Sequence, residues 1–360
     1  MNLKSFIIAK FIILILLCAG CKTRDTNDLI CFDIENTKAI TVDFNDIFEI
    51  EKIIILEETQ ESLVSHIIKV DYVNNNFFIS DNRHGVVLRF DDNGNFINSI
   101  GQKGNGPGEI SRLSNFRIDN EYVYLLDRAK VVKYELDGTF IEDLDKRYYT
   151  IDFDYRNNKY IFYNINVPSY DQFVVTDSIN TILKSFSPLR NSPFVMGMPG
   201  RDYLYYHQGD YYFTYPYSDT IFRLTDTIST AFLSYGFGCS KFTDFPGLLN
   251  RTADINLSEI SYSFRDYITD DYLISSLVIN GQKKILIYNR ESRNSMLIDS
   301  IAAGPDLLNN SSLQDFTDGG IMCWTYSPSG QNGTFDEILK DVKTNDNDIL
   351  ILTKLKKSKI

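Results

Sequence analysis

Val87-Leu88-Arg89-Phe90-Asp91-Asp92-Asn93-Gly94-Asn95-Phe96-Ile97 aligns without a gap on Val131-Val132-Lys133-Tyr134-Glu135-Leu136-Asp137-Gly138-Thr139-Phe140-Ile141, 44 residues further on. Each copy reads as strand, tight turn, strand, because Asn93-Gly94 and Asp137-Gly138 supply the positive φ that a two-residue hairpin needs. Upstream of each copy lies another strand ending in aspartate, Phe77-Phe78-Ile79-Ser80-Asp81 and Val123-Tyr124-Leu125-Leu126-Asp127. Before those come His66-Ile67-Ile68-Lys69-Val70-Asp71 and Ser114-Asn115-Phe116-Arg117-Ile118-Asp119. The unit is thus four strands in roughly 45 residues, the size of one propeller blade.

Fainter copies follow. Residues 159–163, 172–176 and 181–186 supply a third blade, 211–215, 220–224 and 231–235 a fourth, and 272–278, 284–289 and 295–301 a fifth. A sixth, at 320–326 and 348–355, lacks its last strand, while the strand Glu51-Lys52-Ile53-Ile54-Ile55-Leu56 precedes blade one without a sheet of its own. Letting that strand complete the sixth sheet closes the ring and removes two exposed edges. The expected fold is all-β, a six-bladed β-propeller with four-stranded blades closed by an N-terminal strand. Composition agrees, since 23 Tyr and 25 Phe beside little Ala suit pleated sheet better than helix. Only a few stretches look helical, the best of them Phe335–Val342, with Phe335, Ile338, Leu339 and Val342 on one face.

The N-terminus has a different grammar. A short basic start is followed by an apolar run from Phe6 to Leu17, too short to span a bilayer at about 20 residues per helix. The run ends in Leu17-Cys18-Ala19-Gly20-Cys21, which resembles a lipobox. Residues 1–20 are therefore expected to be a signal peptide, Cys21 the lipid-modified N-terminus, 21–36 a flexible tether and 37–360 the propeller. Removing Lys4 and Lys10 with the signal moves the net charge from −12 to −14. A chain so acidic repels phosphate backbones, so no nucleic-acid partner is expected, and the lipid is the expected membrane contact.

The lipobox with Cys21, the Gly101–Glu109 connection, the Asp219–Leu224 strand and the C-terminal Ile349–Lys356 together resemble the six-bladed β-propeller lipoproteins of Bacteroides-type bacteria, distant relatives of NHL-repeat propellers. The resemblance covers nearly all of residues 37–356. It implies a lipoprotein of the outer membrane, facing the periplasm or the cell surface, and it carries over no catalytic residues.

Chemistry is sparse. Gly101–Gly108 lacks the Gly-Lys-Ser/Thr ending of a phosphate loop and reads as a turn between blades. Asp91–Asn95 lacks the glycine and glutamate of a calcium loop and reads as a hairpin. Three histidines without metal spacing, no Gly-x-Ser-x-Gly elbow, and Cys31, Cys239 and Cys323 without a Cys-x-x-Cys pair leave catalytic residues, metal and cofactors all at none. Trp324 reads as packing. The expected role is non-catalytic binding of an envelope protein or glycan; the alternative is a propeller-type glycan lyase or hydrolase acting at the channel mouth.

Candidate binding residues come from the loop joining second to third strands, which lies on the same face as the connections between blades and opposite the Asn93-Gly94 and Asp137-Gly138 hairpins. These are Asp81, Arg83 and His84, then Asp127 and Arg128, whose cations suit a carboxylated sugar or peptide carboxylate. A structural role for the aspartates, as caps on loop amides, is the competing reading. Tyr215 and Tyr217 are candidates as a sugar platform, with packing between blades as the other reading. Residues 327–347 are expected to overhang the same face.

Overall fold

Both quoted repeats form the outer half of a blade in the computed structural model, which describes residues 29–64, 67–81, 84–146, 149–164, 171–189, 197–240, 260–302, 311–316, 320–326 and 348–356. Three strands come first, β1 (Ile30–Phe32), β2 (Ile40–Asp43) and β3 (Phe48–Ile55). Blade one is β4 (Ile67–Val73), β5 (Asn76–Asp81), β6 (Val87–Asp91) and β7 (Phe96–Ile100), and blade two is β8 (Asn115–Ile118), β9 (Tyr122–Leu126), β10 (Lys130–Glu135) and β11 (Phe140–Asp145). Blade three is β12 (Thr150–Arg156), β13 (Lys159–Asn164), β14 (Phe173–Asp177) and β15 (Ile182–Phe186), and blade four is β16 (Leu204–His207), β17 (Asp210–Phe213), β18 (Thr220–Thr225) and β19 (Ile228–Tyr235). Blade five is β20 (Tyr262–Ile268), β21 (Tyr272–Ile279), β22 (Gln282–Asn289) and β23 (Ser295–Ala302). Blade six takes β24 (Ser311–Phe316), β25 (Ile321–Tyr326) and β26 (Ile349–Leu355), and its outer strand is β3.

This is a six-bladed β-propeller of four-stranded antiparallel blades, closed as expected by the N-terminal strand. Ile53, Ile54 and Ile55 pair with Ile351, Leu350 and Ile349. Immediately after β3, the Glu57 amide donates to the Gly94 carbonyl at 2.8 Å and the Glu57 carboxylate accepts from the Phe96 amide at 2.7 Å. The closing strand is thereby tied to blade one as well as to blade six.

Each blade is too thin to bury both its faces alone, and the apolar side chains gather between neighbouring blades. Phe78 and Val87 of blade one meet Phe116, Val123 and Val132 of blade two in one such layer, and five similar layers complete the circle. Trp324 lies in the layer between blades five and six, its indole N–H donating to Thr353 Oγ1 at 2.9 Å.

Two expectations need correction. Residues 30–32, expected within a flexible tether over 21–36, are instead part of the propeller edge, because β1 pairs in parallel with β19 and Phe32 is buried against Tyr235 and Tyr288. The same segment then adds β2 in parallel to β23 before reaching β3. Residues 30–55 thus strap the outer edges of blades four, five and six in turn, and β1 and β2 cover strand edges that would otherwise stay unpaired. Blades three to six also each have an inner strand that the sequence reading does not assign, namely β12, β16, β20 and β24. The helix expected over Phe335–Val342 and the overhang at 327–347 lie outside the described residues.

Candidate functional site

The inner strands alternate apolar and polar residues, with one set turned into the blades and the other into the channel. Val70, Phe116 and Phe153 are buried in the blade layers, while Lys69, Asp71, Asn115, Arg117, Asp152 and Asp154 take the alternate positions. The connection from blade three to blade four ends in Pro199-Gly200-Arg201-Asp202, and this short segment runs across the channel. The Gly200 amide donates to Ser114 O of blade two at 2.8 Å, and its carbonyl accepts from Arg265 of blade five at 3.4 Å. Gly200 is in the left-handed region, φ +68°, and presses on Ile68 of blade one, so a Cβ there would meet Ile68 Cγ2 at 2.2 Å.

Asp202 locks this plug. Its carboxylate accepts from Lys69 Nζ and Asn115 Nδ2, both at 3.0 Å, and pairs with Arg117. Arg117 Nη2 donates to both carboxylate oxygens of Asp152, at 2.7 and 2.8 Å, and its Nε donates to Phe153 O. Asp152 Oδ2 in turn accepts from the amides of Tyr203 and Leu204, at 2.7 and 2.9 Å. Burial would raise Asp202, but Arg117 and Lys69 outweigh it and hold that carboxyl far below the usual range. Burial, reinforced by the neighbouring Asp202, pushes Asp152 up to about 6 against the pull of Arg117.

The plug leaves a cavity on either side. On the face of the inner hairpins, about 280 Å³ is lined by Asp71, Asp154, Arg156, Tyr205, Tyr206 and Arg265, among others. Arg156 stands 4.0 Å over the Tyr206 ring, and Asp154 accepts from Tyr211 Oη at 3.0 Å. On the opposite face, about 260 Å³ is lined by Arg112, Arg128, Lys146, Tyr149, Met198 and Pro199, among others. Arg112 and Arg128 are exposed and make no ion pair among the described residues. Lys146 is buried, donates to the Arg128 carbonyl at 2.6 Å, and is pushed down to about 8 by that burial.

The sequence-based candidates divide over this geometry. Asp81 and Asp127 are buried turn caps: Asp81 accepts from the His84 amide at 2.9 Å and contacts the His84 ring, and Asp127 accepts from Ser111 Oγ and the Arg112 amide at 2.8 and 2.7 Å. By capping Arg112, Asp127 helps shape the cationic cavity without facing it. Arg128 lines that cavity, whereas Arg83 lies outside the described residues. Tyr215 stacks on Phe222 and Tyr217 meets Tyr262 edge to face at 5.0 Å, so both make packing contacts at the loop joining the second and third strands of blade four. Arg112, Lys146 and the plug were not singled out from sequence. The plug's partners had a usable signal, the alternation in Lys69-Val70-Asp71, Asn115-Phe116-Arg117 and Asp152-Phe153-Asp154. Asp91 accepts from the amides of Asn93 and Asn95, the hairpin expected there. Cys31, Cys239 and Cys323 are free thiols.

A family model described as "Domain of unknown function (DUF4934)" matches residues 29–354. The chain belongs to the DUF4934 family. The match begins where β1 begins, so the edge strap falls within the DUF4934 domain. Among solved structures, this DUF4934 propeller is similar to a Bacteroides fragilis protein described as exported, with 20% identity and a TM-score of 0.69 over 91% of this chain and 100% of that one. It is also similar to a DUF4221 family member of Bacteroides vulgatus, with 9% identity and a TM-score of 0.55 over 86% and 99%. At these identities both likenesses speak to the fold alone. No curated protein matches the chain.

Proposed function

We propose that this DUF4934 chain is a lipid-anchored, non-catalytic binding propeller of the cell envelope, and that its cationic cavity receives a carboxylate of a glycan or protein partner. The observation that carries the reading is the meeting of Arg112, Arg128 and Lys146 around one cavity in a chain of net charge −12. Guanidinium groups bind carboxylates through paired N–H donors, and the apolar floor of Met198 and Pro199 suits the body of a sugar ring or peptide. Envelope placement is supported by the lipobox ending in Cys21 and by the description of the Bacteroides fragilis relative as exported.

Titration of the mature domain with oligogalacturonate tests the site. Each charge-assisted hydrogen bond contributes about 1.5–3 kcal/mol, so an Arg112→Ala, Arg128→Ala variant is expected to bind at least tenfold more weakly. Equal affinity of variant and parent would remove the cavity from consideration. Cys21→Ala tests the anchor and should leave an unprocessed or soluble chain; an unchanged membrane fraction and mobility would contradict lipidation.

A second reading, glycan cleavage, has one observation in its favour: carboxylates, arginines and tyrosines share the cavity at the inner-hairpin mouth. Release of reducing ends from envelope polysaccharide, abolished by Asp154→Asn, would establish it.

A further inference from the structure

Among the cations at the plug, Lys69 and Arg201 are buried and Arg117 is partly buried, and they are treated very differently. Lys69 donates to Asn115, Phe116 O and Asp202, and Arg117 binds two carboxylates. Arg201 is 2% exposed, yet its Nε, Nη1 and Nη2 have no hydrogen-bond partner among the described residues. What surrounds it is aromatic. The guanidinium carbon lies 4.7 Å from the Tyr203 ring centroid, and Tyr205, Tyr217 and Tyr262 are within electrostatic reach. Asp266 is the nearby acid, and its two oxygens already accept from Tyr235 Oη and Ser263 Oγ, each at 2.6 Å.

An arginine cannot relieve this situation by losing its proton. Burying an unpaired ion carries a desolvation penalty that a cation–π contact offsets only in part. No described residue supplies the remaining compensation. We infer that Arg201 holds a small inorganic anion of the halide class within the ring of Tyr203, Tyr205, Tyr217 and Tyr262. With Arg201 only 2% exposed, a sugar or a peptide cannot reach it, and it does not line the cationic cavity, so the site does not depend on the function proposed there. Tyr203 Oη accepts from the Met198 amide at 3.0 Å and keeps its proton, so it is the natural further donor to such an ion, whereas Tyr205 Oη already donates to Asp202 O at 2.7 Å. Because Arg201 sits between Gly200 and Asp202, occupancy of the site secures the plug.

The probes are bromide in crystals of the mature domain and chloride in solution. A bromide anomalous peak in contact with the Arg201 guanidinium is expected, together with a melting temperature that rises when chloride replaces gluconate at constant ionic strength. Arg201→Met keeps the side-chain volume without the charge and should lose both responses. Water alone at the guanidinium, with equal melting temperatures in the two salts, would overturn the assignment. So would a chloride response that persists unchanged in Arg201→Met. If that variant does not fold, the peak and the salt comparison on the parent protein decide the matter by themselves.

Discussion

Gly200→Ala is the sharpest probe of the plugged channel. A Cβ at this position would lie 2.2 Å from Ile68 Cγ2 and 3.3 Å from both Ile68 Cβ and Ile68 O, in a backbone held at φ +68°. The left-handed conformation costs an L-residue about 1–2 kcal/mol, and overpacking typically adds about 1–3 kcal/mol, for a total of about 2–5 kcal/mol. Gly209→Ala is the matched control, since Gly209 has φ +92° but nothing within 4 Å of its would-be Cβ. Both variants lose the same unfolded-chain entropy, and the φ of Gly209 lies further from the left-handed region open to L-residues, so a larger loss at Gly200 reports the contact with blade one. Urea unfolding followed through buried Trp324 should place Gly200→Ala about 1–3 kcal/mol below Gly209→Ala. Ile68→Ala removes the opposing Cγ2 and should narrow that gap. The plug is refuted if the two glycine variants are equally stable, or if Ile68→Ala leaves the gap unchanged.

Three other outcomes follow from the same geometry. Removing residues 29–35 deletes β1 and the buried Phe32 and Ile34, which at about 1.5–3 kcal/mol per large apolar side chain should lower stability by roughly 3–6 kcal/mol; an unchanged melting temperature would show that the strap adds nothing. Asp202→Asn leaves Lys69 with Asp71 and Arg117 with Asp152 as their remaining acids and, with the Asp202 side chain 34% exposed, should cost about 1–3 kcal/mol near neutral pH. Asp202 is held far below its ordinary 3.8, so its stabilisation is complete above that pH and is lost on acidification; the variant's deficit should therefore shrink as pH falls below about 4, and a constant deficit would count against the ion pairs. Lys146, lowered by burial to about 8, is mostly charged at pH 6.5 and mostly neutral at pH 9.5, so oligogalacturonate affinity should fall between those values in the parent and not in Lys146→Met.

How much of this was legible depended on which way a residue faces. The outer hairpins of blades one and two could be read directly, because Asn93-Gly94 and Asp137-Gly138 mark turns between apolar strands. The inner strands of blades three to six carry no comparable apolar run. Thr150–Arg156, for instance, alternates Asp152 and Asp154 with Ile151 and Phe153, since one of its faces lines the channel. The edge strand Ile30–Phe32 is only three residues long and sits in a polar stretch, too short for periodicity to separate it from a tether.

Sequence alone determined the blade repeat, the missing strand of the sixth blade and the strand that supplies it, because these follow from local turn chemistry and from the need to pair every edge. It also separated the two faces, since antiparallel strands place successive loops at opposite ends. Tertiary structure decided what occupies those faces. Arg112, Arg128 and Lys146 come from different loops of blade two and the connections flanking it, and Lys69, Arg117, Asp152 and Asp202 from four separate segments. Spacing along the chain holds no record of their meeting, because ring closure brings together residues more than a hundred positions apart, as with Lys69 and Asp202.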